Sequence, residues 1–352
     1  MKGIIHERPG VYSSYDASAA VRGGRAARTV GVAAKSVSGT VNAAVRLTSY
    51  EMGLSAFGED AEGTPGMSAI LKLLFLGGAS TVVAVKVNED DYAAAFRVLQ
   101  TVENLQVIVC DSGELTVQQA LRVSLESASA ARRERIAVVG MSDASTADLT
   151  ERAKALNSER MVLVGPDGLD GTGKPVSGVF TAAAVAAAVA MTRDPAIPLN
   201  GTPLNGLTGV SVDYTDSEID VLVRGGVTPL EAVGGVVSPV RGITTRTTTG
   251  GADDTTWREL TTILIADDVI PAIRQSLRSR FSQTKNTVQT RGAIRSQTIV
   301  ELENKLRAEI IDSYSDVAVS ASEEDPTICL VEFSFAVAHG LNQIYLTAHI
   351  TI

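Results

Sequence analysis

The segment of this sequence closest to a catalytic motif is GLDGTGKP, Gly168 to Pro175, which directly follows an apolar run. It satisfies G-x-x-x-x-G-K, the spacing at which backbone amides cradle phosphates and a lysine reaches their charge. The next position of such a loop needs Ser or Thr to hold Mg²⁺, and here it is Pro175. Proline has neither a hydroxyl nor an amide hydrogen, so both the metal ligand and one phosphate donor are lost. A nucleotide-binding α/β enzyme using Gly168–Pro175 is therefore the alternative reading, and a glycine-rich loop tip is the plainer one. The other reactive side chains are scattered. His6, His339 and His349 lack the H-x-x-x-H spacing of a metal site, and Cys110 and Cys329 form no C-x-x-C pair. The carboxylate pairs Asp90-Asp91, Asp253-Asp254 and Asp267-Asp268 are adjacent residues, which suits helix starts and solvated loops better than acid–base catalysis. No catalytic residue, cofactor or metal is expected.

The elements around these residues follow a clear rhythm. LQVIVCD (105–111), RIAVVGM (135–141) and RMVLVGPDG (160–168) are near-continuous apolar runs, as in strands buried on both faces. They alternate with the helical patterns LTVQQALRVSLESASAARRE and TADLTERAKAL. RTVGVAAKSV (28–37) and STVVAVKV (80–87) read as further strands. MSAILKLLFL (67–76) reads as a helix stopped by Gly77-Gly78. This βαβα order predicts an α/β fold with a parallel or mixed sheet. PVSGVFTAAAVAAAVAMT (175–192) is long and uncharged, but its alanines gain little from lipid, so a closely packed core helix is expected rather than a membrane span.

After about residue 195 the pattern changes. A loop-rich passage is followed by the helix SEIDVLVRGG and the strand-like VVSPVRGITT. Ile243 to Asp254, small and polar with a Gly pair, is the expected linker. A second unit follows. Its first helix runs from about Trp257 through Leu277, with Pro271 predicting a kink or a boundary near Asp267-Asp268. TIVELENKLRAEIIDSY is expected as a second helix, with ICLVEFSFAV and QIYLTAHITI as strands. The expected organisation is an extended arm over 1–25, an α/β domain over 26–250, a smaller α+β domain over 251–340 and a terminal strand over 341–352.

The 352 residues carry a net charge of −9, with 45% hydrophobic and 4% aromatic residues. An acidic chain poor in aromatics is not built to bind nucleic acid. No apolar run opens the chain, so no signal peptide is expected, and two cysteines fit a reducing cytoplasm. Charge is segregated: Arg274, Arg278, Arg280, Lys285, Arg291 and Arg295 form a basic stretch, and an acidic one follows from Glu301 to Asp325. This fits either an ordinary solvated surface or contact with further copies or an acidic partner. The final residues alternate, with Ile344, Leu346, Ala348, Ile350 and Ile352 on one side. Such a strand pairs either within its own sheet or with a neighbour's.

The most distinctive segment is GITTRTTTGGADDTTWRELTTILIADDVIPAIRQSLRSRFSQTKNTVQTRGAIRSQTIVEL (242–302). Its order of GITT, D-x-x-W-R-E-L, D-D-V, F-x-x-x-K-N-T and R-x-x-I-x-S-Q resembles the contractile tail sheath family of myophages, phage-tail-like bacteriocins and related injection systems. RPGVYSSY near the start, the 28–58 segment and LKLLFLGGASTVVAVKV extend the resemblance over nearly the whole chain. The large insertions of big-phage sheaths are missing, and TVGVAA lacks an aromatic often found in the first strand. The resemblance implies a non-enzymatic subunit. Subunits would stack as hexameric rings around an inner tube and contract to drive it through a target envelope. It also implies extended ends that join sheets in neighbouring subunits, here Val11, Tyr12, Ile344, Leu346, Ile350 and Ile352. The inner C-terminal domain would touch the tube, making Arg274, Arg278 and Arg280 the candidate tube-facing residues. Further copies, the tube, and baseplate and terminator proteins are the implied partners, with no nucleic acid and no membrane insertion. Assembly would occur in the bacterial cytoplasm, before release as part of a particle.

Overall fold

Short runs of Val, Ile and Ala become strands in the computed structural model, which describes residues 29–342. In chain order the elements begin β1 Thr29–Ala34, β2 Ala44–Leu47, α1 Tyr50–Phe57, α2 Met67–Leu76, β3 Thr81–Lys86, α3 Tyr92–Thr101 and β4 Leu105–Cys110. Next are α4 Leu115–Ala130, β5 Ile136–Gly140, α5 Thr146–Leu156, β6 Met161–Gly165, the short strands β7 Gly168–Leu169 and β8 Pro175–Val176, and α6 Gly178–Met191. Then come β9 Gly209–Val210, α7 Asp216–Arg224, β10 Val227–Val233, β11 Val236–Pro239, β12 Thr248–Thr249 and β13 Ala252–Asp253. The last are α8 Leu260–Phe281, α9 Val288–Arg307, β14 Ile311–Ala321 and β15 Cys329–Val337.

Eight strands form the main sheet in the order β11-β10-β6-β5-β4-β1-β3-β2. Its interior pairings are parallel, and the antiparallel pairs β2–β3 and β10–β11 close the two edges. Alternation decides which face each residue covers. Val107 and Val109 enter the cluster that contains α2 and α6, while Ile108 and Cys110 enter the cluster on the opposite face. Each fully buried aliphatic side chain contributes about 1.5–3 kcal/mol.

The Ala-rich helix α6 lies in this core, with every residue from Gly178 to Ala190 buried. Small residues let it sit close. A Cβ on Gly140 would fall 1.9 Å from the Gly178 carbonyl oxygen, and one on Gly77 would fall 2.4 Å from the Ala187 Cβ. Among the described residues no helix is long and apolar enough to cross a membrane.

A smaller unit follows: α8 and α9 carry the β14–β15 ribbon. Helix α8 serves both units. Leu260, Ile263 and Leu264 lie in the main core, whereas Ile265, Val269, Ile270, Ile273 and Leu277 pack with Leu302, Ile311 and Phe333.

Three local expectations differ from the structure. The 243–254 segment is not a free linker, because Ile243, Thr244 and Thr245 are buried. The Thr245 N–H donates to the Met161 carbonyl (2.8 Å) and the Thr244 hydroxyl to the Trp257 carbonyl (2.7 Å). Only the Gly250-Gly251 tip is an exposed turn, at positive φ. Helix α8 runs unbroken through Pro271, which removes one intrahelical donor while packing on both cores holds the helix together. Helix α9 starts earlier than expected, capped by Thr287, and stops at Arg307. Glu309 adopts a left-handed backbone (φ 56°), the chain turns, and Ile311 to Tyr314 enter β14 instead of the helix.

Candidate functional site

The phosphate-loop candidate resolves first. Gly168–Leu169 pairs antiparallel with Pro175–Val176, so the motif is a tight hairpin. The Asp170 carboxylate accepts from the Thr172 N–H (2.8 Å), the Thr172 hydroxyl (2.7 Å) and the Lys174 N–H (3.0 Å). The amides that would face a phosphate are thus turned onto the loop's own carboxylate, which they hold below the usual carboxylate range. The N-terminus of α6 is filled the same way. The Asp167 carboxylate takes the Gly178 N–H (2.6 Å) and the Asp143 N–H (3.1 Å).

The sheet's switch point, between the ends of β1 and β4, is where open α/β sheets place ligands. Here Asp111 occupies it, accepting from the Lys35 N–H (2.8 Å) and the Tyr92 hydroxyl (2.7 Å). Burial pushes the Asp111 carboxyl up. Burial likewise pushes the neighbouring Cys110 thiol up to about 12, far from a reactive thiolate. Among the described residues no cluster of three or more metal-ligating side chains forms. Of the histidines, His339 is exposed, and His6 and His349 lie outside the described residues.

What the fold does assemble is a charged seam at the start of β5 and β6, where α8 crosses. Arg160, 2% exposed at its side chain, clasps Asp267 with two bonds of 2.7 and 3.0 Å and also donates to the Arg135 carbonyl. Arg274 binds Glu134 (2.6 Å), again between α8 and the large unit. Asp268 pairs with Lys305 of α9, and Arg241 pairs with Glu259 just before α8. Burial raises the pKa of Asp267, and the Arg160 charge pulls it back down. The Asp267-Asp268 pair expected at a helix start therefore sits mid-helix, with one carboxylate tied to each unit. Nothing local in the sequence marks Arg160 as the partner, since it lies 107 residues away.

The candidate tube-facing residues part company. Arg274 is committed to Glu134 with 11% of its side chain exposed, whereas Arg278 and Arg280 are exposed in the last turn of α8. There they complement the helix's negative end. With exposed Lys285 they make no ion pair among the described residues. Arg291 donates instead to the Asn286 side chain (2.9 Å), and Arg295, itself exposed, donates to the Val317 carbonyl (2.8 Å). The acidic stretch is divided as well: Glu303 receives the Tyr314 hydroxyl, while Glu323 and Glu324 are exposed at the ribbon's turn. Val11, Tyr12, Ile344, Leu346, Ile350 and Ile352 lie outside the described residues.

The ribbon pairs the expected strand ICLVEFSFAV with β14, whose first residues carry a helical pattern. In β15, Val331, Phe333, Phe335 and Val337 face the small core while Leu330, Glu332, Ser334 and Ala336 face outward. Strand β14 pairs with it antiparallel, and the outer edges of both strands carry no partner strand among the described residues. An exposed edge of this length is a ready template for another strand.

Comparison with known proteins agrees with this architecture. Residues 86–245 match the phage tail sheath protein central domain, and residues 252–351 match the phage tail sheath C-terminal domain. The tail sheath protein of Bacillus phage SP01 is 29% identical over 252 residues. That match covers 70% of this chain but only 43% of the relative, so the chain aligns with less than half of that protein's length. Among solved structures, the anti-feeding prophage helical sheath in its contracted state has a TM-score of 0.71 at 17% identity, covering 98% of this chain and 99% of that one. The contracted sheath complex of an extracellular contractile injection system gives 0.69 at 14% identity, covering 99% of both chains. The sheath tail protein from Desulfitobacterium hafniense gives 0.70 at 10% identity, covering 93% of this chain and all of that one. These likenesses establish the fold. With two consecutive family domains spanning well over half of the sequence, the chain belongs to the phage tail sheath family.

Proposed function

We propose that this chain is the structural subunit of a contractile sheath. It polymerises as stacked hexameric rings around an inner tube, and contraction drives the tube through a target envelope. The observation that carries this is the ordered match of both sheath domains in one chain, on a fold like those of contracted sheaths. The subunit does no covalent chemistry. Its energy resides in contacts between copies, each worth little but multiplied along the lattice.

The domains fit this role as an arm over 1–25, an α/β body over 26–250, an inner α+β domain over 251–340 and a terminal strand over 341–352. Val11 and Tyr12 of the arm, and Ile344, Leu346, Ile350 and Ile352 of the terminal strand, join sheets of neighbouring copies. The open edges of the β14–β15 ribbon are the natural acceptors. Arg278 and Arg280, with Lys285, meet an acidic tube surface through wet charge contacts weak enough to release on firing. Arg274 acts in the seam. Baseplate and terminator proteins cap the lattice. Assembly takes place in the bacterial cytoplasm, and the product is part of a phage or tail-like particle.

Negative-stain microscopy of the purified chain tests this reading. It predicts cylinders with helical striations. Discrete particles at every concentration, together with saturable ATP binding that Lys174→Ala abolishes, would favour the nucleotide-binding alternative instead.

A further inference from the structure

The chain beyond β15 does not leave the molecule from the ribbon. It crosses back to the large unit and seats on the 195–206 loop. Gly340 lies flat against Pro198, where a Cβ would fall 2.7 Å from the ring's Cγ and 3.0 Å from its Cβ and Cδ. Its backbone is not left-handed, so the glycine serves the close approach and not a turn. Two residues on, the Asn342 side-chain oxygen accepts from the Asn200 side-chain amide at 2.7 Å. The loop that receives them is itself bolted to the sheet. Leu199 is buried in the main core, the Gly201 N–H donates to the Pro239 carbonyl (2.9 Å), and the Leu204 N–H donates to the Val237 carbonyl (2.8 Å). Those carbonyls belong to β11, the outermost strand of the eight-stranded sheet.

We infer that Pro198, Asn200, Gly340 and Asn342 form an anchor that fixes where the C-terminal segment leaves the subunit and passes load on that segment into the main sheet. The physical need is plain. A two-stranded ribbon is marginal by itself, and a strand pulled from its free end opens its ladder one bond at a time. Tension arriving through residues 343–352 would peel β15 from β14 unless something upstream held. The contact at 340–342 lies between the ribbon and that segment, on a loop tied to the most extensive sheet of the molecule. These four are positioning residues. The inference rests on the reading that the terminal strand connects subunits.

The test compares Gly340→Val, Asn342→Leu and Asn342→Asp in the full chain. Asn342→Asp keeps the acceptor for Asn200, and Asn342→Leu removes it without touching a core residue. Hydrogen exchange on the unassembled protein is read first. The anchor predicts at least tenfold faster exchange at Ala338, whose N–H donates to the Ile310 carbonyl (3.3 Å), in Asn342→Leu and Gly340→Val, parental exchange there in Asn342→Asp, and an unchanged thermal midpoint in both Asn342 variants. Microscopy follows, with long regular cylinders for the parent and Asn342→Asp and short or irregular ones for Asn342→Leu. Parental exchange in Asn342→Leu, or faster exchange with normal cylinders, would overturn the anchor. Failure of the underlying reading looks different: deletion of Ile344–Ile352 would leave normal cylinders whatever the exchange data show.

Discussion

The two units solve the problem of unpaired backbone in opposite ways. In the large unit, six strands are paired on both sides, both faces are covered by helices, and loop amides bond to the edge strand β11. In the small unit, a two-stranded ribbon covers one face with α9 and leaves the other face and both strand edges open among the described residues. The first arrangement leaves only its outermost strands, β11 and β2, with a single partner strand among the described residues. On the proposed function, the second is completed by strands from neighbouring copies. The difference teaches that one unit satisfies most of its own backbone while the other presents open edges, and α8 with its ion pairs packs against both.

Breaking the self-contained half produces the largest effect. In Gly140→Ala the new Cβ meets the backbone of Gly178 at 1.9 Å, so α6 must move off the sheet. We expect a loss above about 4 kcal/mol in urea unfolding, or no soluble protein. Next is the joint. Asp267→Asn leaves the buried Arg160 guanidinium without its counter-charge, an expected loss of about 3–5 kcal/mol by the same measurement. The double variant Arg160→Met/Asp267→Leu should recover most of it, because removing both charges removes the desolvation penalty as well.

Smaller effects sharpen the contrast on the small unit. Thr287→Ala deletes the side-chain cap on the N-terminus of α9 and should cost about 1 kcal/mol, read as a shift in denaturant midpoint at constant slope. Arg278→Glu/Arg280→Glu places two acids at the negative end of α8, so a modest loss of about 0.5–1 kcal/mol is expected. Its expected consequence is loss of loading on tubes while tube-free polymers still form, measured by co-sedimentation. Equal loss of both would place these arginines in contacts between copies.

Much of the large unit was legible because its signals are local. The apolar run at 105–111, the stretch at 67–76 stopped by Gly77-Gly78 and the helical pattern TADLTERAKAL at 146–156 each carry their own period, and the structure keeps them. What the sequence hid depends on distant partners. IIDSY continues the helical pattern of the residues before it, and only packing of Ile311 with Phe333 turns it into a strand. The 243–245 residues look like a linker until the Met161 carbonyl and the Ser158 backbone claim Thr245. Asp267 looks like a cap until Arg160 arrives from another element. In the small unit, the basic stretch reads as one patch, yet the fold ties Arg274 to Glu134, Arg291 to Asn286 and Arg295 to the Val317 carbonyl, and leaves Arg278 and Arg280 exposed with no ion pair among the described residues.

The central claim is that this chain folds by itself but assembles through its ends. Deleting Ile344–Ile352 tests it most directly, with sedimentation and negative-stain microscopy on the same sample. The account predicts a soluble, cooperatively folded protomer with the parent's denaturant midpoint and no long cylinders. Normal cylinders from the truncated chain would contradict strand donation, and an unfolded protomer would place that strand in the subunit's own sheet.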